Sequence, residues 1–191
     1  MPSNKKPSAN LLQTNATRLA HVHFAYVAVY AAFIVGADSW NLVTRQISSQ
    51  RWLAAGLMLI VTAVTWYLSR FDIKNANYYR LLIFALILAD IALATFAIWT
   101  ERGMASRGVA LYAIPIVSSA VLMSRTAILG VAALCTSVYM MTATRYFYVY
   151  FNEGFKVELY TTVFLYSASF FLLAAILWIF ISALPGSTSK S

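Results

Sequence analysis

Leu159–Leu184 is a run of 26 residues without a single charged side chain. A small water-soluble chain cannot enclose such a stretch on every side, because surface-to-volume scaling limits its core. A bilayer can, since its hydrocarbon layer is about 30 Å thick and takes about 20 apolar residues as a helix. Five further apolar runs precede it: His23–Ala37, Trp52–Leu68, Leu81–Trp99, the short Val109–Met123, and Ala127–Ala143. Hydrocarbon offers no hydrogen-bond partner, so a spanning segment satisfies its backbone within itself as a helix, or within a closed barrel. These runs lack the roughly 10-residue alternation of barrel strands. The expected fold class is all-α, a polytopic membrane protein with a bundle of about six transmembrane helices.

Composition agrees. Of 191 residues 61% are hydrophobic and 10% charged, whereas soluble domains carry about 25% charged residues. Six spans and their connections leave no length for a second domain. The expected plan is a disordered cytoplasmic tail over residues 1–18, a six-helix domain over 19–184 and a short cytoplasmic tail over 185–191. Trp40, Trp52, Trp66 and Trp99 fall near run ends, as interfacial tryptophans do. Trp178 lies deeper and reads as a packing residue, and the aromatic run Tyr146–Phe151 reads as an outer-interface anchor.

Orientation follows from Lys and Arg in the connections. With the N-terminus inside, Lys5, Lys6, Arg18, Arg70, Lys74, Arg80, Arg125 and Lys190 fall inside, against Arg45, Arg51, Arg102, Arg107, Arg145 and Lys156 outside. Six of the inner eight lie in the first two inner segments, so both termini are expected in the cytoplasm and the chain in the cell membrane. The net charge of +8 is scattered over these connections with no nucleic-acid motif. Its expected partner is the lipid bilayer, not nucleic acid.

Asp90, in the middle of Leu81–Trp99, is the most informative residue. A carboxyl at membrane depth costs a few kcal/mol on insertion scales, so it faces protein, pairs with a donor or stays protonated. Two readings stand side by side: a ligand or proton site, or a hydrogen-bonded pin between helices. Tyr112, Ser118, Ser119, Thr136 and Tyr139 are the candidate polar partners. Pro115, inside the fourth run, lacks a backbone donor and is expected to kink that helix. His21 and His23, two residues apart, point to different sides of a helix and read as interfacial packing, not as a metal pair. Cys135, the lone cysteine, reads as a small buried hydrophobe. Small residues four apart, such as Ala28 with Ala32, allow close helix approach. There is no G-x-S-x-G, His-Glu-x-x-His or phosphate-binding glycine loop, so no enzyme, cofactor or metal is expected.

Leu111-Tyr112-Ala113-Ile114-Pro115-Ile116, the basic turn Ser124-Arg125-Thr126 and the small-residue start Ala127-Ile128-Leu129-Gly130 together resemble the multi-span N-terminal sensor regions of bacterial histidine kinases. The resemblance covers residues 80–184. It implies a six-span input module with both ends inside, a cytoplasmic signalling partner or homo-oligomer, and coupling through the last helix. Those kinases continue into a dimerisation helix and an ATP-binding domain that these residues do not contain, so no catalytic residue carries over and a module without its own output domain is expected. A small transport subunit, like the substrate-binding subunits of energy-coupling-factor importers, and a structural membrane protein are the competing expectations. Ala28 and Ala32 suit the transport subunit, while seven glycines are few for a transporter built on broken helices.

Overall fold

The protein is described by a computed structural model covering residues 9–40, 42, 44–100, 106–150 and 156–183. The described residues are all-helical. Six α-helices run in order: α1 (Ala9–Ser39), α2 (Arg45–Ser69), α3 (Ala76–Thr100), α4 (Ala113–Ser119), α5 (Arg125–Tyr150) and α6 (Lys156–Ala183). Five of them, all but α4, are long and apolar enough to cross a bilayer. The protein is a multi-pass helical membrane protein.

The fourth run is different. It is a seven-residue α-helix flanked by 3-10 helix on both sides, Arg107–Tyr112 before it and Ala120–Leu122 after it. A 3-10 helix rises about 2.0 Å per residue and an α-helix 1.5 Å. The segment 107–122 therefore reaches about 28 Å, near the hydrocarbon thickness, where a plain α-helix of equal length would reach about 24 Å. Pro115, the expected kink, is the third residue of α4, two residues past the change from 3-10 to α-helix at Ala113.

Two details position this segment. Gly108 follows the capping Ser106, whose Oγ accepts its N–H at 2.8 Å. A Cβ on Gly108 would lie 2.8 Å from the Ala97 Cβ and 3.2 Å from the Ala97 carbonyl carbon, so only glycine lets the 3-10 helix sit against α3. Gly108→Ala is expected to destabilise by about 1–3 kcal/mol, the usual range for overpacking, read as a lower Tm in detergent. The segment ends at Met123, with φ of 50°. Left-handed backbone costs a side-chain-bearing residue about 1 kcal/mol or more, and Met123 is 41% exposed. Met123→Gly is expected to raise the Tm slightly, by about 1 kcal/mol of relieved strain less the entropy of the more flexible unfolded chain.

The chain divides into two compact units, with the boundary inside α3 between Ala89 and Asp90. In the first, α1 and α2 form an antiparallel hairpin. Its contacts run from Gln13 against the carbonyls of Ser69 and Phe71, through Thr17 against Ser69 and His21 against Trp66, to Asp38 accepting from Ser48 at 2.6 Å. Residues 9–18, expected in a disordered tail, are thus the first turns of α1, with Leu12 and Ala16 fully buried. Their polar side chains looked solvated in sequence but are used internally: Thr14 and Thr17 donate to the carbonyls four residues back, and Gln13 caps the end of α2. Residues 1–8 and the expected tail 185–191 lie outside the described residues. In the second unit α5 and α6 pack together and α4 packs on both. The aromatic run on α5 meets the end of α3, with Tyr146 and Tyr150 edge-on to Trp99 at 5.8 and 6.2 Å and Arg145 over the same ring at 6.0 Å.

α3 is the most enclosed of the long helices and α6 the least, with 56% and 11% of their apolar windows buried. α6 presents Phe164, Leu165, Leu172, Ile179 and Phe180 outward, as a lipid-facing helix does. The enclosure of α3 is what allows a carboxyl in its middle.

Candidate functional site

Asp90 is 2% exposed. A turn further on, Thr95 donates its hydroxyl proton to the Ile91 carbonyl at 2.7 Å. The same oxygen is 2.8 Å from the Tyr112 hydroxyl. Threonine has one hydroxyl proton and the carbonyl only accepts, so Tyr112 is the donor to Thr95. This bond ties the last residue of the 3-10 helix to α3. Cys135 on α5 is fully buried and within electrostatic range of both Asp90 and Tyr112.

One turn beyond Cys135, Tyr139 is fully buried and meets three rings: Tyr112 at 6.1 Å, Tyr166 at 5.8 Å and Phe170 at 5.9 Å. Phe170 also meets Tyr112 at 5.6 Å. Tyr166 and Phe170 are four residues apart on α6 and so share a face. The three contacts of Tyr139 are edge-on or nearly so, the arrangement in which aromatic quadrupoles attract. The result is an aromatic cluster drawn from the 3-10 helix, α5 and α6, joined to α3 through the Tyr112–Thr95 bond.

The hydroxyls of Tyr139 and Thr136 are both buried and neither has a hydrogen-bond partner. Two neighbours on α5 behave otherwise: Ser137 and Thr142 each donate to the carbonyl four residues back at 2.8 Å. An unpaired buried hydroxyl costs about 1–3 kcal/mol. Two of them, about one turn apart on the stretch of α5 that carries Cys135, are hydrogen-bonding capacity left unused in a dry setting.

The sequence candidates divide accordingly. Tyr112 spends its proton on Thr95, and Ser119 donates to the Ile116 carbonyl at 2.6 Å, so neither donates to Asp90. Ser118 is buried on α4. Thr136 and Tyr139 keep their protons uncommitted. Thr95, Tyr166 and Phe170 escaped the sequence reading, and Cys135, read as a small buried hydrophobe, is buried as expected. The available signal was weak, namely polar residues recurring one turn apart within apolar runs. His23 is buried, its Nδ1 2.9 Å from the Leu19 carbonyl, while His21 is exposed and accepts from the Trp66 indole, so the two histidines do point to different sides. Among the described residues no three His, Cys, Asp or Glu side chains group as metal ligands would. Chemically the cluster can exchange a proton at Asp90 or donate hydrogen bonds from Tyr139 and Thr136 to a small polar group. No protein-family model, curated protein or solved structure matches this chain.

Proposed function

We propose that this protein is a sensory or regulatory module of the cell membrane with both termini in the cytoplasm, and that the Asp90 cluster is its input site. The observation that carries this reading is the pair of uncommitted buried hydroxyls, Thr136 and Tyr139, that follow Cys135 within about one turn of α5, Cys135 itself lying within electrostatic range of Asp90. A carboxyl kept only to pin two helices has no use for spare donors beside it, because each adds a desolvation cost. A site that binds or releases a proton or small polar ligand needs spare capacity of this kind. Tyr166 and Phe170 on α6 meet Tyr139, one turn past Cys135 on α5, so α5 links the neighbourhood of Asp90 to the last helix. The sixth crossing that brings both ends to one side is supported by the stretched reach of segment 107–122.

A second reading, a transport subunit, draws on one observation. Ala28 and Ala32 are exposed on α1, and Gly36, a further turn on, has open space around it. Such a stripe can receive a partner helix. The deciding experiment is affinity purification of the tagged protein from native membranes in mild detergent, with mass spectrometry of what co-purifies. A cytoplasmic signalling protein supports the sensory reading. A transmembrane scaffold with ATPase subunits overturns it in favour of transport.

A further inference from the structure

The open end of the α1–α2 hairpin carries a different surface. Trp66 on α2 donates its indole N–H to His21 Nε2 on α1 at 3.3 Å. The Arg70 guanidinium lies 3.8 Å from the centre of the same indole ring. Phe24 meets Trp66 edge-on at 6.3 Å. Arg18, His21 and Phe24 follow at spacing three on α1, and Trp66 lies four residues before Arg70, the helical-backbone C-cap of α2, so each set forms one stripe. The His21–Trp66 bond joins the stripes. Arg18 and Arg70 therefore flank one aromatic pair, and both are exposed.

The backbone beneath is held rigidly. Tyr78 donates to the Leu68 carbonyl at 3.2 Å, Tyr79 to the Phe71 carbonyl at 2.6 Å, Gln13 to the Ser69 carbonyl at 3.2 Å, and Ser69 to the Trp66 carbonyl at 2.8 Å. Three carbonyls of the last turn of α2 are capped by side chains and that of Tyr67 by the backbone N–H of Arg70, so Arg70 projects from a well-tied point. Because His21 Nε2 accepts, the neutral ring carries its proton on Nδ1, a third donor on an exposed residue. Lys74 is exposed in the next turn, and Asp72 is the acid in that turn.

We propose that Arg18, His21, Trp66 and Arg70 form a binding site for the headgroup of an anionic phospholipid. The two guanidiniums suit the phosphate oxygens, which arginine binds in a planar fork. The indole sits one turn further into the membrane, at the depth tryptophan prefers, and Phe24 lies deeper still along the acyl chains. Arg70 stacked on Trp66 loses less freedom on binding than a free arginine would. A zwitterionic headgroup brings its own cation against this surface and gains less.

The test uses the full chain in detergent, with phosphatidylglycerol or phosphatidylcholine titrated in and bound lipid counted by native mass spectrometry. Wild-type protein is expected to prefer phosphatidylglycerol. The double variant Arg18→Gln/Arg70→Gln is expected to lose about thirtyfold in affinity for it, from about fivefold per arginine near an anionic surface. Lys74→Gln is expected to keep most of the preference, and Arg18→Lys/Arg70→Lys to keep part of it. Equal binding of the two lipids by wild-type protein overturns the proposal whether or not any variant folds. So does an unchanged preference in the glutamine double variant. A soluble acidic peptide that competes for wild-type protein better than phosphatidylglycerol would reassign the surface to a protein partner and overturn it too.

Discussion

Tyr139→Ala is expected to cost about 3–5 kcal/mol of stability, the range for large aromatic truncations in a close-packed core. Tyr139 is fully buried and is the ring that Tyr112, Tyr166 and Phe170 all touch. Removing it opens a cavity where the 3-10 helix, α5 and α6 meet and leaves only the Tyr112–Phe170 contact of the cluster, and α6 has few buried residues elsewhere to compensate. The measurement is thermal or denaturant unfolding of the purified protein in detergent. Tyr139→Phe has the opposite expected sign. It keeps the ring and its edge-on contacts while deleting a hydroxyl that has no partner, so stability should rise by about 1–3 kcal/mol. A phenylalanine variant less stable than wild type would show that the hydroxyl is engaged, and the idea of spare capacity would fall. A more stable variant with altered co-purification would mark Tyr139 as a residue kept for function at the expense of stability.

The helices were legible because length without charge admits one solution in hydrocarbon, and Leu159–Leu184 and Leu81–Trp99 state it plainly. The extent of α1 was not. Asn10, Gln13, Thr14, Asn15 and Thr17 read as a polar tail, and only the pairing of Gln13 and Thr17 with the end of α2 gives them a helical reason. The stretch 107–122 was short for a span, and its 3-10 flanks have no sequence signature beyond Pro115 and a glycine, Gly108, that must approach Ala97. Asp90 was legible as a candidate because its cost is local. Its surroundings were not, since Tyr112, Cys135, Tyr139 and Phe170 come from three other elements and no spacing rule joins them. Cys135 in particular looks like any small buried residue until the fold sets it near the carboxyl.

Asp90→Leu separates the two readings of the carboxyl most sharply. If Asp90 serves as an input site, its replacement by an apolar residue of similar size removes a costly group from the middle of α3 and leaves the helices packed. Leucine is favoured over aspartate at a span centre by about 3–4 kcal/mol on insertion scales. Part of that gain is lost to imperfect packing in the most enclosed helix. Stability is then expected to stay level or rise, while the amount of partner captured from native membranes changes severalfold. If instead the carboxyl is a pin, leucine removes a hydrogen bond worth about 1.5–3 kcal/mol with a charged group and strands its donor, so the Tm falls, and Asp90→Asn, which keeps the shape and an acceptor, restores most of the loss. Unfolding measured on wild type, Asp90→Leu and Asp90→Asn, beside co-purification of the same three proteins, distinguishes the cases. A fall in Tm for leucine, rescue by asparagine and unchanged partner capture would reduce the cluster to architecture.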